Sequence, residues 1–126
     1  MGSNGQPGEP DAPLDAPLVD ETTLQQLKAR LSSEDLARFL QSAIQEAEEA
    51  LKRIQLTASS AEIAEEAHKL KGSAGLLGLG RINVIVSRII RAATDGCDFP
   101  DLLDALGTAI SATREEIARR AHRSDA

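Results

Sequence analysis

From Asp20 onward an apolar residue recurs every three or four positions, and that period more than anything else limits what the chain can fold into. Leu36, Leu40, Ala43, Ala47, Ala50 and Ile54 are spaced alternately by four and three, which puts all six on one side of an α-helix. Over the same span no stretch alternates apolar with polar residues, and no Asn-Gly pair offers a hairpin turn. The expectation is an all-α protein.

Punctuation divides the pattern into helices. A short first helix, about Asp20 to Arg30, carries Leu24, Leu27 and Leu31. The next opens at Ser32-Ser33-Glu34-Asp35, where a hydroxyl can cap and carboxylates suit the helix dipole, and runs for about 20 residues. A third starts at the capping box Ser59-x-x-Glu62 and reaches about Gly78, with Ile63, Ala67, Leu70, Ala74 and Leu77 as its apolar side. A fourth, roughly Arg81 to Thr94, turns Ile82, Ile85, Val86, Ile89 and Ala93 inward and stops at "DGCDFP". A fifth follows an Asp98 cap and Pro100, using Leu102, Leu103, Leu106, Ile110, Thr113 and Ile117. Short connections make successive helices antiparallel, so the expected architecture is an up-down four-helix bundle with the short N-terminal helix across one end. Residues 1–18 hold four prolines and no apolar period; they read as a disordered tail, and residues 19–122 as the bundle domain.

Composition removes several classes of function. A net charge of −6 argues against nucleic acid or an anionic membrane as the main partner, and two phenylalanines with no tryptophan or tyrosine leave little for bases to stack on. No apolar run approaches the roughly 20 residues that cross a bilayer. The single cysteine, Cys97, cannot form a disulfide within the chain, so a cytoplasmic protein is expected. One histidine flanked by no second ligand makes a metal site unexpected, and no Gly-Lys-Ser loop follows a strand to bind a nucleotide.

The segment "AHKLKGSAGLLGLG", Ala67 to Gly80, departs from plain bundle packing. With Ile63 at the centre of the buried side, a helical advance of about 100 degrees per residue turns His68 about 140 degrees away, toward solvent. Ala64, Lys71, Gly72 and Gly75 flank it, and Lys69 reaches it through a long stem. Two glycines inside a helix each cost about 1 kcal/mol relative to alanine, a sign that something approaches the backbone beside His68. An exposed imidazole is a nucleophile near neutral pH, and a nearby ammonium can stabilise phosphoryl oxygens, so covalent phosphate carriage fits this arrangement.

A histidine followed by Lys71-Gly72 and then small residues resembles the signature of histidine-containing phosphotransfer domains, and the match runs without a gap from Ala67 to Leu79. That resemblance implies a four-helix bundle and a phosphorelay intermediate with no turnover of its own. His68 would take a phosphoryl group from a receiver-domain aspartate and pass it to another response-regulator receiver, with a hybrid sensor histidine kinase upstream. By the same resemblance Lys71 and Lys69 assist the phosphoryl oxygens. Ala64, Gly72, Gly75 and Leu76 form the docking surface, with Leu79 adding to its apolar edge. No cofactor is implied on this chain, Mg²⁺ being expected on the partner receiver. Many members place Gln or Glu on the next helix to orient the imidazole; here that register holds Ile90, with Ser87 one turn earlier as the candidate orienting residue. A monomer is expected. The alternative is an interaction module that binds a signalling partner while His68 stays inert. His122, in the basic "ARRAHR", reads as a plain surface residue.

Overall fold

The computed structural model describes residues 15–57, 59–96 and 100–124, and among them finds five α-helices and no strand. These are α1 (Glu21–Lys28), α2 (Ser33–Leu56), α3 (Ser60–Leu77), α4 (Gly80–Asp95) and α5 (Pro100–Ser124). The all-α expectation holds, with helix ends within a few residues of those read from the sequence. The Asp98 cap, Cys97, the tail through residue 14 and the side chain of His122 lie outside the described residues.

The starts of α1, α2 and α3 use the donors that a first turn leaves unpaired. Asp20 accepts from the amides of Thr22 and Thr23 at 3.1 and 3.4 Å, and Ser32 accepts from Asp35 N at 3.1 Å. The capping box at α3 closes differently from expectation. Ser59 Oγ does accept from Glu62 N at 3.2 Å, but the Glu62 carboxylate accepts from Thr57 Oγ1 at 2.6 Å, and Ser59 N donates to that same Thr57 oxygen at 3.2 Å. The threonine inserts itself as a relay because its hydroxyl can donate and accept at once.

Helices α2, α3, α4 and α5 pack in a ring, each on its two neighbours, and α1 lies on α2 and α3. The direction of the helices is visible in cross-pairs: Arg114 of α5 pairs with Glu48 of α2, while a Cβ at Gly107 would touch Leu51 at 3.5 Å, so the two helices run oppositely. The core is the union of the apolar stripes. Leu36, Leu40, Ala43, Ala47, Ala50 and Ile54 meet Ile63, Ala67, Leu70 and Ala74, then Ile82, Ile85, Val86 and Ile89, then Leu106 and Ile110, all buried. Ile44 joins them. Leu27, Leu31, Leu77, Leu102, Leu103 and Ile117 are half-buried at its margins.

The expected tail extends too far into the chain. Residues 15–18 are placed against the turn between α3 and α4. Ala16 is buried beside Val84, Arg81 donates to the carbonyls of Ala16 and Asp15 at 2.7 and 3.4 Å, and Asp20 N donates to Gly78 O at 2.8 Å. Proline density suggested disorder, but an extended Pro-containing strap with open carbonyls is what an arginine on a helix start can hold. Two glycines make room for it. Gly78 ends α3 at φ 73°, a left-handed conformation that glycine adopts freely. At Gly80 a Cβ would stand 2.8 Å from the Pro17 carbonyl oxygen.

A second tie joins the chain ends of the domain. Arg120 of α5 pairs with Glu21 of α1 and, at 2.8 Å, with Glu116 of its own helix. The guanidinium bond from Arg120 holds the Glu21 carboxyl below its ordinary range. Arg119 first and then Arg120 do the same to Glu116.

Two outcomes follow for stability. Gly80→Ala should lower it by about 1–2 kcal/mol in urea titrations, because the strap must shift, although alanine favours helix elsewhere. Glu21 and Glu116 titrate lower when folded, so their contribution is full above the ordinary carboxylate pKa and is lost as pH falls through and below it. Arg120→Gln should therefore lose less melting temperature than wild type between pH 7 and pH 3.

Candidate functional site

The face of α3 that carries His68 is set by the opposite face. Ala67 and Ala74 are wholly buried, and Ile63 and Leu70 nearly so, so the helix can present only one orientation. One residue past Ala67 the imidazole is exposed, as are Lys69, Gly72, Gly75 and Leu76, while Ala64 and Lys71 are half-buried. Leu76 is 72% exposed, a large value for a leucine. These residues expected at the site share one surface. Leu79 does not join them, being 1% exposed: it sits past the glycine turn, as the N-cap of α4, where the chain has reversed into the core.

The surface around His68 is open for a physical reason. An added Cβ at Gly72 would meet nothing within 4 Å, and the backbone there is ordinary helix, so neither packing nor conformation requires glycine. What glycine provides at position 72 is lower relief next to the ring. On the α2 side, Glu66 is engaged by Arg53 at 3.0 Å, which ties α2 to α3 and occupies one of the carboxylates nearest the histidine in sequence. Lys69 and Lys71 are then the cations the helix itself supplies near the imidazole.

Helix α4 backs this surface. Ser87 is buried, and its hydroxyl donates to Asn83 O one turn earlier at 2.9 Å. Its proton is committed within α4, which leaves only its lone pairs for an imidazole N–H. Ile90 is half-buried and packed against the core, and Arg91 is exposed, 4.0 Å from Asp95. Asn83 is the residue the sequence reading passed over. It is 9% exposed, lies against α3 with its Nδ2 3.5 Å from where a Gly75 Cβ would stand, and its Oδ1 is buried without a hydrogen-bond partner. The signal was one polar residue inside the apolar run Ile82-Asn83-Val84-Ile85-Val86.

The site lies on an exposed helix face. A cleft of about 480 Å³ lies between α1, α2 and α5, and no residue of α3 lines it. Among the described residues no group of three His, Cys, Asp or Glu side chains could hold a metal, and no helix is long and apolar enough to cross a membrane.

An exposed imidazole lies beside Lys69, Lys71 and Gly72 on one helix of a four-helix ring. The Hpt domain family model matches residues 35–116, well over half of the chain, and the protein belongs to that family, whose members carry phosphoryl groups in two-component systems and are not catalysts. No curated protein and no solved structure gives a significant match.

Gly72→Ala should raise stability by about 0.5–1 kcal/mol, since open space surrounds the new methyl. Thermal or urea unfolding would read it, and a loss of stability would show that glycine serves packing there.

Proposed function

We propose that the chain relays phosphoryl groups through His68. A ring nitrogen attacks the phosphorus of an aspartyl phosphate on a receiver domain; the N–P bond forms as the P–O bond breaks, and the bonding pair leaves on the receiver's carboxylate. The ring keeps its other N–H through the step. Delivery to the aspartate of a second receiver reverses it, the N–P electrons returning to the imidazole. The observation that carries this reading is the exposed His68 within Lys69, Lys71 and the bare backbone of Gly72, on a chain of the Hpt family.

The division of labour follows from what each group can reach. Lys71 and Lys69 offset charge on the equatorial phosphoryl oxygens. Ala64, Gly72, Gly75 and Leu76 take the partner's surface, so that attack can be in line. Mg²⁺ belongs to the receiver, whose phosphate it neutralises. Ser87 could accept from the ring N–H only through an oxygen lone pair, so the ring is oriented weakly from below and largely by the docked partner. The chain acts as a monomer in the cytoplasm, between a hybrid sensor histidine kinase and a response regulator.

The test is transfer of labelled phosphate from phosphorylated receivers to wild type and to His68→Gln. Acid-labile, alkali-stable label on wild type alone is expected. The variant should unfold within about 0.5 kcal/mol of wild type, since the site is exposed. Label on neither protein, with a receiver bound equally by both, would favour an interaction module with an inert histidine.

A further inference from the structure

Two features on the α3–α4 seam serve no purpose within the folded chain, and they coincide. The first is Gly75. It is exposed, its φ is not positive, and a Cβ there would make only ordinary contact, at 3.5 Å, with Asn83 Nδ2. Alanine would fit and would favour the helix. The second is Asn83, more than nine-tenths buried, with Oδ1 unpartnered. A leucine would fill similar space without burying an unpaired polar atom, which the fold otherwise bears as a cost. The glycine leaves no side chain on α3 over the Asn83 amide, whose Nδ2 is the atom nearest the gap and whose unpartnered Oδ1 is buried.

The position of this window is telling. Gly75 is seven residues beyond His68, two helical turns or about 10 Å along the same face, and Leu76 beside it is 72% exposed. A receiver docked with its aspartate at His68 would extend over a point this close on the same face. Ser87 donates to the main-chain carbonyl of Asn83 at 2.9 Å, which leaves its proton unavailable to the Asn83 amide. A half-turn about χ2 exchanges Oδ1 and Nδ2, so the amide can present either an acceptor or a donor toward Gly75.

We infer that Asn83 reads the docked receiver through the gap at Gly75, forming a hydrogen bond with a polar group of the receiver's docking surface. The bond rests on the phosphorelay reading given above and adds to it a specificity-determining residue on α4, outside the histidine's own helix. Water is excluded from such a bond, so a receiver that lacks the matching group leaves the amide unpaired and is disfavoured.

The experiment is a double-mutant cycle on Gly75→Ala and Asn83→Leu, using a receiver domain that exchanges phosphate with the wild-type chain. Affinity is measured by calorimetry and melting temperature on each protein. Both single variants should melt at or above wild type yet bind the receiver on the order of three- to tenfold more weakly. The double variant should bind no worse than either, because covering the window and removing the amide abolish the same bond. Gly75→Ala guards against misfolding of the Asn83 variant, since its methyl makes only ordinary contact. Wild-type affinity in both singles, or losses that add in the double, would overturn the inference while leaving His68 as the carrier. Failure of wild type itself to bind or exchange with any receiver would overturn the phosphorelay reading and this inference with it.

Discussion

The close packing of α3 on α4 is the constraint from which the rest follows. Ala67 and Ala74 are fully buried, and side chains this small let α3 sit tightly against the core while allowing it no second orientation. A helix whose inner side is fixed has its outer side fixed as well. His68 is exposed because Ala67 is not. The strap at Asp15 to Asp20 extends the same constraint to the end of the hairpin: Arg81 and the Gly78 carbonyl hold it, and Gly80 lets it come close.

Several features that oppose stability lie on α3 beyond His68 or on the helix behind it, although Thr113 of α5 also buries an unpartnered hydroxyl. Gly72 has open space where a side chain could stand, Gly75 has room for one, and Asn83 leaves an oxygen unpaired. Elsewhere many local choices agree with the fold: α1, α2 and α3 have side-chain caps, carboxylates lie in their first turns, and arginines tie α5 to α2 and α1. Such local conflicts in an otherwise consistent chain mark where selection acts on something other than folding. That Gly72 and Gly75 share the exposed face of His68 supports a role for that face independently of the family match.

The helices and the exposed histidine were legible in the sequence because both depend on a single period. Apolar spacing placed the core residues of α2, α3 and α4, and the same phase turned His68 outward. What the period could not convey was contact between segments distant in the chain. Proline-rich sequence at Asp15 to Leu18 looked unstructured because its partner, Arg81, lies some 65 residues away. Thr57 escaped notice in the cap of α3 because it sits before the motif rather than in it. Leu79 was expected at the apolar edge of the docking surface, whereas the left-handed Gly78 turns the chain and sends it inward. Asn83 was lost among the isoleucines and valines of a helix whose other residues obey the pattern.

The composition of the proposed docking face also bears on how firmly a partner would be held. Among the described residues the large apolar side chains left exposed are Phe39, Leu56 and Leu76, and of these only Leu76 is on α3. Burying one leucine contributes about 1.5–3 kcal/mol, whereas micromolar binding requires about 8 kcal/mol. The remainder must come from small contacts over bare backbone, from hydrogen bonds, and from Lys69 and Lys71, whose charges are screened within about 8 Å at physiological salt. A face built this way favours partners that arrive, exchange and leave. The proposed relay needs that property, since a tightly held receiver would block the histidine from the next one.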